Sequence, residues 1–175
     1  GLLDEPTPVN VEEGVLLTNL SSIVLEDGVA LVSSVDEING TAVSGTGDLW
    51  LLIGTEGAPA DHGLLSLNVN ITGDLTFDMP ADTDSIELSA ASVIDLNGGN
   101  LTVSDGTVKA SLATLRDIGD IVINSNLELT LAQFSMVLNA EKSISGSGNL
   151  TVTVADDDEA AALFDLVAAN DGKVA

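Results

Sequence analysis

The sequence predicts an all-β fold: a single-stranded parallel β-helix (β-solenoid) of about six coils of ~26 residues, closed by a C-terminal capping helix. Three observations predict it. Leucine-rich strands recur at a nearly fixed interval. A small residue followed by Asp or Asn precedes each strand. The core has to be aliphatic, because hydrophobic residues make up 45% of the 175 residues and aromatics only 2%. Narrow, layered interiors accept such side chains better than a globule organised around large rings.

The interval is the strongest signal. Gly47-Asp48-Leu49, Gly73-Asp74-Leu75, Gly99-Asn100-Leu101, Ser125-Asn126-Leu127 and Gly148-Asn149-Leu150 form a series whose Asp/Asn members are spaced by 26, 26, 26 and 23 residues. Another step of 26 back reaches Ser21-Ser22-Ile23. The position after the Asp/Asn is Ile23, Leu49, Leu75, Leu101, Leu127 and Leu150, and two further on sit Leu25, Leu51, Phe77, Val103, Leu129 and Val152. Between them lie Val24, Trp50, Thr76, Thr102, Glu128 and Thr151. That is in–out–in alternation, the period of a half-buried strand. The first column is expected to form one interior ladder through all the coils.

A second strand is expected just upstream, because Leu17, Val43, Val69, Asp95, Ile121 and Ile144 form an almost wholly apolar column. The Gly/Ser and Asp/Asn between the two strands mark a tight corner, since both types tolerate unusual backbone angles. The Asp48, Asp74, Asn100, Asn126 and Asn149 column is expected to bond backbone from coil to coil. The remaining arcs are less regular. Ile86-Glu87-Leu88 is extended in pattern. Leu112, Leu115 and Ile118 before Gly119, and Leu131 to Leu138 before Asn139, have helical spacing. A β-sandwich is the alternative fold, but it does not require corner residues to recur every ~26 positions.

Three segments follow. Residues 1–13, with Pro6 and Pro8, are expected to be an N-terminal linker, 14–155 the solenoid, and 156–175 a helical cap or a junction to a further module. Asp156-Asp157-Asp158-Glu159 suits a helix N-terminus, Asn170-Asp171-Gly172 a stop, and Leu163, Phe164, Leu166 and Val167 an apolar side to cover the last coil.

Charge excludes whole classes of partner. Twenty-eight acidic residues face four basic ones, a net charge of −24. Duplexes and anionic membranes are bound by clustered Lys and Arg, so nucleic-acid and lipid binding are excluded. No apolar stretch is long enough to span a membrane as a helix, and Leu2-Leu3 is followed at once by Asp4-Glu5 rather than by a signal-peptide core. There is no cysteine for disulfides or thiolate metal sites.

Candidate chemistry is sparse. His62 is the lone histidine and lacks the company that a triad or a histidine metal site needs. Calcium is the one cofactor worth expecting. Asp78, Asp82 and Asp84 lie in one loop around Pro80, and Asp156, Asp157, Asp158 and Glu159 form a dense run; both offer the hard oxygens that Ca²⁺ takes. Against that, Asp156–Glu159 is equally a helix-capping sequence. Paired carboxylates such as Asp82 with Asp84 keep a carbohydrate-active β-helix enzyme in view, although 28 acids produce such pairs by chance. Sugar stacking could rest only on Trp50. A regular ice-binding array is broken, since Val24, Trp50 and Glu128 interrupt Thr76, Thr102 and Thr151.

The Gly-Asn-Leu-Thr-Val strand (Gly99 to Val103, Gly148 to Val152) with Ala- and Leu-rich arcs resembles repeats of giant secreted bacterial adhesins and surface-layer-like proteins. The resemblance implies a non-catalytic role in attachment or matrix building at the cell surface, with neighbouring repeats or other protein subunits as partners. A self-assembling extracellular filament subunit is the alternative, and the carbohydrate-active enzyme the next.

Overall fold

The computed structural model describes residues 7–10, 20–52, 61–78 and 85–174, with the backbone alone at 7–10 and 61–63. The chain winds into a parallel β-solenoid with three faces and about five turns. It opens with β1 (Thr7–Asn10) on face 1, β2 (Ser22–Leu25) on face 3 and β3 (Val29–Ser34) on face 1. The short helix α1 (Val35–Ile38) then stands where face 2 would begin, followed by β4 (Ala42–Gly45) on face 3.

From there the strands visit faces 1, 2 and 3 in rotation. These are β5 (Asp48–Leu52), β6 (Asp61–Leu65) and β7 (Asn68–Ile71); β8 (Leu75–Asp78), β9 (Ser85–Leu88) and β10 (Val93–Asp95); then β11 (Leu101–Val103), β12 (Thr107–Lys109) and β13 (Thr114–Arg116). The last turn holds β14 (Ile121–Ile123), β15 (Asn126–Thr130) and, in place of a strand on face 3, α2 (Leu131–Asn139). The chain ends with β16 (Ile144–Ser145), β17 (Asn149–Thr153) and α3 (Asp157–Ala169). Among the described residues, face 1 carries seven strands and faces 2 and 3 five each, every adjacent pair parallel.

Each face lines one wall of an apolar interior, because alternate side chains point in. On face 1, Leu31, Leu49, Leu75, Leu101, Ile121 and Ile144 stack in register. On face 3 the stack is Ile23, Val43, Val69, Ile94 and Leu115. On face 2 it is Ile86, Val108, Leu127 and Leu150. All but the end residues Ile23 and Leu150 are buried.

The single six-membered ladder expected from the sequence is therefore corrected. Leu49, Leu75 and Leu101 do stack, but Ile23 lies on face 3 and Leu127 and Leu150 on face 2. The coils are not uniform. Leu49, Leu75 and Leu101 are spaced by 26, whereas Ala30 pairs with Asp48, 18 residues on, and Leu101 with Ile121, 20 residues on. The 20-residue coil makes its first corner with only Ser104–Gly106. Leu127 keeps the 26-residue phase because it falls six positions after Ile121, the step from one face to the next.

The arcs divide in the same way. Ile86-Glu87-Leu88 is extended in β9 and Leu131 begins α2, both as expected. Leu112, Leu115 and Ile118 are not helical: Leu115 points inward from β13, and Leu112 is 52% exposed. Parallel pairing of Thr114–Arg116 with Val93–Asp95 overrides the local periodicity. Within the stretch expected to be a linker, β1 includes Pro8 and pairs with β3; as an end strand it tolerates the missing amide donor. Leu17 and Gly14 lie outside the described residues.

Buried polar groups are satisfied where the chain turns from face 2 to face 3. The Ser92 hydroxyl accepts from the Leu67 amide and donates to the Leu65 carbonyl, both at 3.0 Å. One turn from the end, Gln133 takes over that role. Its Nε2 donates to the carbonyls of Ala110 and Ala113 at 2.8 Å each, while its Oε1 accepts from the Thr130 amide in a capping box that starts α2. The helix thereby follows β15 where the next strand of face 3 would stand, tied to the preceding corner by Gln133.

Candidate functional site

Three features on the outside of the coil are candidates for function: the corner ladder, the Trp50 region of face 1 and the C-terminal end. At the corner entering face 1, a carboxylate or amide oxygen of one coil accepts the backbone N–H of the next. Asp48 Oδ1 accepts from Asp74, Asp74 Oδ1 from Asn100, Asn100 Oδ1 from Asp120 and Asp120 Oδ1 from Ser143, at 2.8–2.9 Å. In return, Leu49, Leu75, Leu101 and Ile121 donate to the carbonyls of Asp74, Asn100, Asp120 and Ser143. These side chains act as extra rungs and extend the sheet by one position.

The coil-to-coil role expected for Asp48, Asp74 and Asn100 is therefore found, and the sequence missed Asp120 and Ser143 as its continuation. Asn126 and Asn149 belong to a different corner, between faces 1 and 2; there Asn126 Nδ2 makes the expected coil-to-coil bond to the Gly106 carbonyl at 3.3 Å, and Asn149 Nδ2 donates to Asn126 Oδ1 at 3.0 Å. The missed pair was hidden because the 20-residue coil moves Asp120 out of the 26-residue phase.

Asp120 carries a pH consequence. Hydrogen bonds from the Ser143 amide and hydroxyl hold its carboxyl below the ordinary 3.8 against the opposing effect of desolvation, with a lesser contribution from the Lys142 charge. A carboxyl depressed on folding adds stability that is present above its ordinary pKa and lost as the pH falls through the folded value. Asp120→Asn keeps the acceptor and removes the charge. Its melting temperature is expected to lie below that of the parent near neutral pH, with the gap closing below about pH 4 as the parent's carboxyl protonates. Thermal melts of both proteins from pH 7 to ~pH 2 check this.

The acidic candidates for calcium are placed as follows. Asp156 is the N-cap of α3, its Oδ1 accepting from the Glu159 amide at 2.9 Å, while Glu159 Oε2 accepts from the Ala155 amide at 2.8 Å. Asp157 and Asp158 fill the first turn beside them, where the helix dipole favours negative charge. Asp78 ends β8, and Asp82 and Asp84 lie outside the described residues. Among the described residues, no three His, Asp or Glu side chains come together as a group able to hold a metal ion. His62, expected in a loop, belongs to β6.

Asp78 instead meets the tryptophan. Trp50 points outward from β5, 42% exposed, and its Nε1 donates to Asp78 Oδ2 on the adjacent strand at 3.1 Å. In register with it across face 1 run Val32, Thr76, Thr102 and Val122, the outward column of that sheet.

At the C-terminal end the solenoid is only partly sealed. Leu163 and Leu166 of α3 pack toward the core, but the helix buries none of its residues fully. Phe164, expected on its covering side, is 75% exposed. A groove of about 420 Å³ runs between α3 and the last coil, lined by Phe134, Leu150, Val152, Phe164 and Val167 among others. Leu150 and Val152 of β17 are half-buried, whereas Leu127 and Leu129, one coil below, are fully buried. Among the described residues, no helix is long and apolar enough to cross a membrane. Comparison with protein-family models, curated proteins and solved structures gives no match.

Proposed function

We propose that this chain is a non-catalytic structural and adhesive segment of an extracellular bacterial surface protein. The observation that carries this reading is the use of its polar side chains. Asp48, Asp74, Asn100 and Asp120, which by type could do chemistry, are rungs that tie coil to coil. What the fold then presents is three columns of outward side chains on an apolar interior. Such a body is a spacer and a display surface, and stacked repeats transmit load only through neighbouring coils. A dispersed charge of −24 keeps it apart from other acidic macromolecules. Antibodies raised against the purified chain are expected to label intact cells of the producing organism, and the chain to show no turnover on polysaccharides. Labelling that requires lysis, or cleavage of a polysaccharide, contradicts the proposal.

The partly sealed C-terminal end favours a second reading, a self-assembling filament subunit. β17 is the last strand of face 2, and the stretch 143–155 that contains it is uncharged. It lacks the Lys, Pro or bulge with which exposed edges usually discourage pairing. Light scattering and electron microscopy, with and without Ca²⁺ and from low salt to ~1 M salt to screen the charge, decide between the two. Filaments support assembly; monomers under every condition exclude it.

A further inference from the structure

A chain that fills its interior with aliphatic residues and the two phenylalanines Phe77 and Phe134 keeps its single tryptophan on the outside. That indole is not loose. The bond from Nε1 to Asp78 runs from β5 to the adjacent β8 and so ties the indole to face 1. A bulky aromatic surface is thereby fixed in orientation and left open to water, an arrangement that packing alone does not call for. Asp78 sits at its edge, and the Thr76 and Thr102 hydroxyls continue the same face from the neighbouring coils.

We propose that Trp50 and Asp78 form a platform that binds one pyranose ring of a neutral polysaccharide. The C–H face of a pyranose is apolar and stacks on an indole. Its equatorial hydroxyls project around the ring and need partners at the rim of the stack. Asp78 supplies carboxylate acceptors there, and Thr76 supplies a hydroxyl that can donate or accept. Because the indole is already held, little side-chain freedom is lost on binding. The net charge of −24 selects against uronate, sulfated or phosphorylated chains. The platform binds and does not cleave. The proposal goes beyond the scaffold reading and does not depend on where the protein resides.

The lone tryptophan is its own reporter. Titration of the intact chain with cellohexaose, mannohexaose and N-acetylated chitohexaose is expected to give a saturable change in indole fluorescence with at least one, at a dissociation constant of about 1 mM. Polygalacturonate is expected to give none. By calorimetry, Trp50→Ala is expected to abolish binding. Trp50→Phe, which keeps a ring but loses the N–H, weakens it several-fold, and Asp78→Ala weakens it about tenfold. Unchanged circular dichroism and melting curves show that the exposed-site variants remain folded. No response to any of the three neutral hexaoses, undiminished binding by Trp50→Ala, or equal binding of polygalacturonate overturns the proposal.

Discussion

Phe77→Ala is expected to cost about 3–5 kcal/mol, a loss of roughly 10 °C in melting temperature for a chain of this size. Phe77 is 1% exposed, in register between Leu51 and Val103, in the middle coil of face 1. Coils above and below are held to it by backbone hydrogen bonds, so the walls cannot collapse into the space that the ring leaves. Each coil touches only its neighbours, and a hole in a middle layer weakens two interfaces at once. Leu150→Ala is the contrast. The sequence pattern makes Leu150 equivalent to Leu75, yet Leu150 is half-buried in the last strand of face 2, while Leu75 is fully buried. Its loss is expected to cost about 1 kcal/mol. Chemical denaturation of the two variants, compared with the parent, measures the difference; equal costs contradict the layered account.

Gly99→Ala is expected to cost about 3 kcal/mol, whereas Gly98→Ala, one residue away, costs about 1 kcal/mol. The two glycines are there for different reasons. Gly99 sits where one coil rests on another: an added Cβ would fall within 3.0 Å of the Gly73 carbonyl, which is backbone and cannot turn aside. Gly73 in turn faces Gly47, and Gly119 faces Gly98 and Gly99, so the corner is built from glycines in contact. Gly98 has φ +92° and nothing within 4 Å of an added Cβ. Alanine there meets only the strain of a left-handed backbone. Thermal melts of the two variants separate crowding from backbone strain. Similar shifts for both would mean that the coils are not packed as closely as the corner ladder requires.

The legible part of the fold was the part set by the corners. Gly-Asp-Leu and Gly-Asn-Leu announced a turn that needs close backbone approach, an acceptor or donor side chain and an inward apolar residue. Those requirements are met both at the corner entering face 1 and, in the last coils, at the corner entering face 2, whereas the corner entering face 3 uses Ser92 and Gln133 instead. Gly99-Asn100-Leu101 therefore enters face 1 and Gly148-Asn149-Leu150 enters face 2. One motif on two corners is what merged separate faces into one apparent ladder. Coil length was illegible because corners lengthen or shorten without disturbing the strand pattern, as Ser104–Gly106 does.

The capping residues of α3 were legible because a helix N-terminus has local rules: Asp156 caps and Glu159 reaches back. Which side of α3 faces the core was not, since Leu163, Phe164, Leu166 and Val167 span more than one side and only tertiary packing selects Leu163 and Leu166. Trp50 was visible as the one possible stacking residue. Its tie to Asp78 depends on pairing between strands and could not be read from spacing.

Because the chain contains no cysteine, paired cysteines can be introduced to read the register directly. Neighbouring strands lie about 4.8 Å apart, within the Cα separation that a disulfide spans. Thr102 pairs with Val122 across face 1, and both point outward; Glu128, at the 26-residue repeat, points outward from face 2. Oxidation followed by mass spectrometry is expected to join the Thr102→Cys/Val122→Cys pair within one molecule and to leave Thr102→Cys/Glu128→Cys as free thiols. An efficient cross-link in the second variant and none in the first would contradict the three-faced coil.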